Sequence, residues 1–189
     1  MPNKRRVIRM GVAAATACAA LGLGSVAPTQ AATSPAHAVS AAPTPVVLQQ
    51  VSLRLYADAS QVATVAATPQ NYVPVIEQTW GNAIQRWDVT SVGGHFRFES
   101  HYSGKCLNVR DNSTAPGAEM IVYTCGTDSN ELWSLVGNGR GYQIVSLRSG
   151  LCLAVQGAVG RGRQLIQNVC SRNAAPTDTW LPVWQQPTA

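Results

Sequence analysis

An internal repeat of about 46 residues restricts the possible folds of this chain more than any other feature of the sequence. The segment SGKCLNV at residues 103–109 recurs 46 residues later as SGLCLAV at residues 149–155. Each copy is followed by an apolar stretch that ends in cysteine, and each copy closes on a tryptophan. Units of this length cannot bury an apolar face alone, so they pack against one another. We therefore expect several similar units around a shared core.

A third copy of the repeat precedes the two clear ones and lacks cysteine. Trp133 and Trp180 close the clear copies, and Trp87 lies 46 residues before Trp133. Upstream of Trp87, the apolar segments 62–65 and 74–76 take the places of the two cysteine segments. The three tryptophans are predicted to pack in the core, because each is large and apolar and recurs at the repeat spacing. Three such units can bury their apolar faces when they stack about a threefold axis.

Short strands are the predicted secondary structure of all three units. Between residues 46 and 184, β-branched and aromatic residues alternate with polar ones in short runs bounded by Gly, Asn, Ser and Pro. The runs FRF at 96–98 and YQI at 142–144 are examples of this period of two, which is typical of half-buried strands. No window in this range shows a helical apolar stripe. The prediction is an all-β domain with repeats at about 46–90, 94–136 and 140–184.

The basic charge of the chain belongs to its N-terminus and not to this domain. The formal net charge is +5, but four of the 14 basic residues fall within the first nine positions, which leaves 10 basic against 9 acidic residues. A nucleic-acid-binding face argued from total charge is therefore excluded.

The same N-terminus has the pattern of a bacterial export signal. A basic start and an apolar run over 10–27 are followed by the small-residue patterns TQA at 29–31 and AHA at 36–38. We predict a signal peptide over 1–31, with cleavage after 38 as the alternative, and an Ala/Pro/Ser/Thr-rich leader over 32–45. Paired arginines leave the general and twin-arginine routes open. No second apolar stretch approaches membrane-spanning length, so we expect a secreted protein without membrane insertion.

Four cysteines remain once the signal peptide is removed, and an even number in an exported chain indicates disulfides. Metal binding is the competing interpretation, but the chain has no CxxC pair and few histidines. Four cysteines allow three connectivities. Equivalent positions in adjacent repeats favour the pairs Cys106–Cys125 and Cys152–Cys170.

The repeated Cys-Leu-x-Val, the second cysteine and a closing Gln-x-Trp triplet together resemble the ricin B-type lectin domain over about residues 46–184. The triplet is intact at 85–87 and altered to ELW at 131–133 and DTW at 178–180. The resemblance implies a β-trefoil with pseudo-threefold symmetry. It also implies a carbohydrate-binding protein, with a galactose-type sugar or a plant or microbial polysaccharide as its partner.

In the family, one repeat holds the sugar with an acidic residue two places after the first cysteine, an aromatic two places before the second, and an asparagine before the Gln-x-Trp triplet. The middle repeat supplies Asn108, Tyr123 and Asn130 at these positions. With the adjoining Glu131, these are the predicted carbohydrate-binding residues. An amide at position 108 lacks the charge-assisted acceptors of a carboxylate, so the site is expected to be weakened. Asp111 is close enough in sequence to compensate.

The other two repeats are predicted not to bind sugar, because they lack the family's polar and aromatic groups. The residues at the acidic, aromatic and amide positions are Thr64, Gln78 and Ile84 in the first repeat and Ala154, Asn168 and Thr177 in the third.

The resemblance thus predicts a secreted lectin-like protein. The alternative is a secreted interaction or inhibitor protein that no longer binds sugar, which the losses at the polar positions favour. Catalytic motifs such as Gly-x-Ser-x-Gly are absent, so the protein is not expected to be an enzyme. No cofactor or metal is predicted, and the oligomeric state stays open.

Overall fold

The structure is a computed structural model that describes residues 45, 47–66 and 68–184, except for the side chain of residue 184. The predicted signal peptide and all of the predicted leader before residue 45 lie outside the described residues. None of the helical segments in the described part of the chain has the length and hydropathy of a membrane-spanning helix.

The described chain forms twelve strands, four in each repeat. The first repeat contains β1 (Val47–Leu55), β2 (Gln61–Val65), β3 (Val73–Thr79) and β4 (Trp87–Val92). The second contains β5 (His95–Ser100), β6 (Lys105–Val109), β7 (Met120–Thr124) and β8 (Trp133–Gly137). The third contains β9 (Tyr142–Ser146), β10 (Cys152–Val155), β11 (Leu165–Asn168) and β12 (Trp180–Trp184).

Six of the strands close into an antiparallel barrel. Strand β1 pairs with β4, β4 with β5, β5 with β8, β8 with β9, β9 with β12, and β12 with β1. Closure leaves these strands without a free edge on which another chain could pair. The hairpins β2–β3, β6–β7 and β10–β11 are joined to one another by the β3–β7 pairing and two isolated bridges. A six-stranded barrel with three hairpins is a β-trefoil, which confirms the predicted fold class.

The three repeat tryptophans are fully buried in the common core. A buried indole needs a partner for its N–H group, and each of these donates to a strand carbonyl of its own repeat. The bonds run from Trp87 to Ala63 at 3.1 Å, from Trp133 to Leu107 at 3.4 Å and from Trp180 to Leu153 at 2.9 Å. All three residues pack in the core shared by the repeats.

The polar residue two places before each of these tryptophans holds the turn that leads into the barrel. Gln85, Glu131 and Asp178 are all buried. Each accepts a hydrogen bond from a backbone amide of that turn: Gly81 to Gln85 at 2.6 Å, Gly126 to Glu131 at 2.7 Å and Ser171 to Asp178 at 2.8 Å. The altered triplets therefore keep the acceptor that the fold requires.

Two disulfides cross the hairpins of the second and third repeats. Cys106 is bonded to Cys125 and Cys152 to Cys170, with Cα atoms 5.0 Å apart in both pairs. Closing a loop of this size stabilises a fold by about 3 kcal/mol on the chain-entropy estimate. In the first repeat the second cysteine position is taken by Trp80, whose ring lies 4.8 Å from the Arg54 guanidinium carbon.

Candidate functional site

A cavity of about 410 Å³ lies beside the β6–β7 hairpin of the middle repeat. Its walls include all four residues that the sequence predicts to bind carbohydrate: Asn108, Tyr123, Asn130 and Glu131. The structure therefore brings these side chains together around one space of a size that suits a small ligand.

The register of the hairpin places two of these residues on one face. Cys106 lies opposite Tyr123, and Asn108 lies opposite Ile121. Directly opposite residues of an antiparallel pair share a face, and so do residues two apart on one strand. Asn108 and Tyr123 consequently project to the same side. Asn108 is buried, whereas 36% of Tyr123 is exposed, which leaves part of the tyrosine open to a ligand.

Asn130 closes the polar side of the cavity from the short helical turn Ser129–Glu131. Its Nδ2 donates a hydrogen bond to Oδ1 of Asn108. Its own Oδ1 is buried and has no hydrogen-bond partner within the described protein. A buried carbonyl oxygen left unpaired costs about 1–3 kcal/mol, so the orientation of this amide is maintained at some cost to the fold.

Glu131 lines the same cavity but is engaged by the protein itself. Besides the bond from Gly126, its Oε1 lies 3.5 Å from Nη2 of Arg97. Burial raises the pKa of Glu131, and the Gly126 N–H and the Arg97 charge act in the opposite direction. Glu131 therefore holds the turn that carries Asn130, and a direct contact with sugar stays a prediction.

Tyr72, which precedes β3 in the first repeat, is a cavity residue that the sequence did not reveal. Its ring centroid lies 5.2 Å from that of Tyr123, with an angle of 74° between the planes. Tyr123 and, more weakly, Asp111 raise the pKa of Tyr72, because a tyrosinate would be repelled by their negative forms. No repeat position marks Tyr72, since it reaches the site through the pairing of β3 with β7.

The cavity carries negative charge. Three of the described residues that line it are acidic, namely Asp111, Asp128 and Glu131, and none is a lysine or arginine. Two arginines adjoin this lining: Arg110 donates from Nε to Glu119 Oε2 at 2.7 Å and lies over the Tyr72 ring, and Arg97 lies 3.5 Å from Glu131, so they offset part of the acidic charge. This charge favours neutral or amine-bearing ligands over anionic ones.

The model of the ricin-type beta-trefoil lectin domain-like family matches residues 39–123 and 83–168, which together cover more than half of the chain. The chain belongs to this family. No curated protein sequence matches it.

Solved structures resemble this ricin-type trefoil over most of the described chain. ThreeFoil, a designed threefold-symmetric protein, is 28% identical with a TM-score of 0.65, and the match covers 70% of this chain and 96% of that one. The agglutinin of Rhizoctonia solani is 13% identical with a TM-score of 0.65, covering 76% of this chain and 100% of that one. An exo-beta-1,3-galactanase from Clostridium thermocellum is 24% identical with a TM-score of 0.67. That match covers 72% of this chain and only 30% of the galactanase.

The first repeat of this ricin-type domain has a second cavity, of about 490 Å³, at the position equivalent to the middle site. Its polar groups are already paired with one another. Thr64 Oγ1 accepts a hydrogen bond from Gln85 at 3.1 Å, and Gln78 Oε1 accepts one from Arg161 at 2.9 Å. Ile84 stands where the middle repeat has Asn130. This cavity lacks the two hydrogen-bonded asparagines and the aromatic wall of the middle one.

In the third repeat, the position equivalent to Asn108 holds a buried alanine, Ala154. Asn168 replaces the aromatic, and its Oδ1 accepts a hydrogen bond from the amide of Val169 at 2.9 Å.

One cluster of potential metal ligands occurs among the described residues, namely Glu99 with Cys106 and Cys125. Both of its sulfurs are consumed by the disulfide, so the cluster offers no thiolate to a metal.

Proposed function

We propose that this protein is a secreted lectin that binds a sugar in the middle-repeat cavity. The observation that carries the proposal is the convergence of Asn108, Tyr123 and Asn130 on one cavity. The family supports a carbohydrate ligand and a binding function without catalysis. The names of two structural relatives, an agglutinin and a galactanase, agree with this class of ligand.

Each side chain has a distinct part in the proposed binding mode. The exposed part of the Tyr123 ring stacks on the apolar face of a pyranose. Asn108 Oδ1 already accepts from Asn130 Nδ2, so Asn108 offers its own Nδ2 as donor and Asn130 fixes the orientation of that amide. Asp111 supplies an acceptor at the rim. A shallow site of this kind binds in the ~mM range, and clustering on a polysaccharide raises the avidity.

Secretion is part of the proposal. The basic and apolar pattern of residues 1–31 supports export, with a leader over 32–45 and the lectin domain over 46–184. Two disulfides in a chain of this size are typical of oxidising compartments.

Replacing Tyr123 by alanine is expected to lower sugar affinity at least about tenfold, because the stacking surface and one wall of the cavity disappear together. Titration calorimetry against galactose, lactose and oligomers of xylan and arabinan, chosen after a glycan array, measures the effect. Asn168→Ala is the matched control, since it removes the equivalent side chain of the third repeat and should leave affinity unchanged. Full affinity in Tyr123→Ala would place the sugar elsewhere. A wild type that binds no glycan would favour the interaction or inhibitor function instead.

Replacing Asn108 by aspartate is expected to strengthen binding by about 1 kcal/mol, a several-fold gain in affinity. One carboxylate oxygen would keep the hydrogen bond from Asn130, and the other would become a charged acceptor for a sugar hydroxyl. The same titrations test this, with thermal unfolding to show that the variant is folded. An affinity equal to that of the wild type would contradict the assignment of position 108 to the sugar site.

A further inference from the structure

Tyr72 has an unfavourable backbone conformation. Its φ is 65°, in the left-handed region that bulky side chains rarely adopt. Residues 71–73 are tied to strand β7, with Val73 opposite Val122 in the β3–β7 pairing. The Tyr72 amide donates to Val122 O at 2.9 Å, and Asn71 Oδ1 accepts from the Thr124 amide at 3.0 Å. Tyr72 is thus held in a strained conformation directly beside Tyr123.

The side chain of Tyr72 contributes little to the stability of the fold, so its packing does not offset this strain. Nearly half of it, 48%, is exposed, and it is not part of the hydrophobic core. Its packing partners are the ring of Tyr123 and the guanidinium of Arg110, whose carbon lies 5.7 Å from the ring centroid. A strained, exposed aromatic that lines a cavity is better explained by binding than by stability.

The arrangement of the two tyrosines determines what they can bind. Their rings are in contact and nearly perpendicular, so no pyranose fits between them. A sugar that stacks on Tyr123 therefore leaves Tyr72 to contact a different part of the ligand. Asp111 and Asn112 lie on the same wall and offer hydrogen-bonding groups to it.

We infer that Tyr72 forms a second sugar subsite next to Tyr123, so that the cavity recognises two consecutive units of a neutral oligosaccharide and not a single terminal sugar. This inference rests on the proposed function. Tyr72 belongs to the first repeat and Tyr123 to the second, so the specificity of the site depends on the packing of one repeat against the next.

The test compares a monosaccharide with its disaccharide in each variant. The probes are galactose with lactose and xylose with xylobiose, measured by titration calorimetry. The wild type is expected to bind the better disaccharide about tenfold more tightly than its monosaccharide, as one additional aromatic contact would provide. In Tyr72→Asn this ratio should fall to near one, whereas Tyr72→Phe, which keeps the ring, should retain it. Asn168→Ala in the third repeat is the control that should not change the ratio.

Asparagine is the informative replacement because it tolerates the left-handed conformation. The melting temperature of Tyr72→Asn should equal or exceed that of the wild type, whereas loss of a structural residue would lower it. A wild-type ratio near one, or a ratio unchanged in Tyr72→Asn, would overturn the second subsite while sugar binding itself stands. A wild type that binds none of the probes would overturn the proposed function, and this inference with it.

Discussion

Replacing Gln167 by glutamate is expected to lower the free energy of unfolding by about 3 kcal/mol. Gln167 is fully buried in β11, and its Nε2 donates to the carbonyls of Ser113 and Ala115, both at 2.9 Å. Glutamate would remove both hydrogen bonds and place a carboxylate against two carbonyl oxygens. Urea denaturation at pH 7 measures the loss, and a cost below about 1 kcal/mol would show that the 113–115 loop does not depend on these bonds.

Glu77 provides the reciprocal experiment, because it occupies the equivalent place in the first repeat. It is fully buried, its Oε2 accepts from the Gly160 amide at 2.8 Å, and its Oε1 has no partner within the described protein. Burial raises the pKa of Glu77; the Gly160 N–H and Arg163 lower it, and Asp58 adds to the rise. Glutamine would keep the bond from Gly160 without a buried charge. Glu77→Gln should therefore stabilise the fold at pH 7 by about 1 kcal/mol.

The pH dependence separates a charge effect from a packing effect in this pair. A carboxyl whose pKa is higher in the folded than in the unfolded state binds more protons when folded. The wild type should therefore lose stability as pH rises from the unfolded pKa through the folded pKa of Glu77. Glu77→Gln should remove that part of the dependence, and an unchanged pH profile would contradict a buried charge at this position.

The fold was predictable from the sequence because the repeat itself indicates three similar units around a shared core. Trp87, Trp133 and Trp180 recur at nearly constant spacing, so their shared role in the core follows from the pattern. The disulfide pairs follow from the same repeat, because their cysteines occupy equivalent positions in two adjacent copies. The three middle-repeat residues of the candidate site were found through family spacing, and the structure places them around one cavity.

Contacts between side chains that are distant in sequence were not predictable. In the intact triplet, Gln85 accepts a hydrogen bond from a backbone amide, and its Nε2 donates a second hydrogen bond to Thr79 O at 2.8 Å. The Glu131 carboxylate can only accept, and it is joined instead by Arg97 from β5, which lies 3.5 Å from Glu131 Oε1 and donates to Gly126 O. No local sequence pattern indicates the contact between Arg97 and Glu131. The two side chains meet only when β5 packs beside the turn that precedes β8.

The second aromatic wall of the site escaped prediction for a similar reason. Tyr72 lies in a different repeat from Tyr123, and repeat alignment compares equivalent positions without showing which repeats touch. Its left-handed backbone is also contrary to local preference, so the sequence at 71–72 indicates a turn and nothing more. The contact depends on the β3–β7 pairing, which joins two hairpins that the period alone treats as separate.

Replacing Trp87 by alanine is expected to be the most damaging single change, with a loss of about 4–5 kcal/mol. The indole is fully buried in the core, and its N–H donates to Ala63 O at 3.1 Å. Alanine would leave a large cavity and a buried carbonyl without its partner. Small domains have a total stability of about 5–15 kcal/mol, so this variant should be marginally folded at best.

Trp80 is the matched control for this prediction, since it lies seven residues before Trp87 in the same repeat. It is only partly buried and packs against the Arg54 guanidinium, so Trp80→Ala should cost about 1 kcal/mol. Denaturant titration with a common m-value compares the two variants. The first repeat has no disulfide to limit the effect, and Trp87 is the largest of its side chains in the core that it shares with the other repeats. Equal losses in the two variants would mean that the first repeat is held by its surface contacts instead.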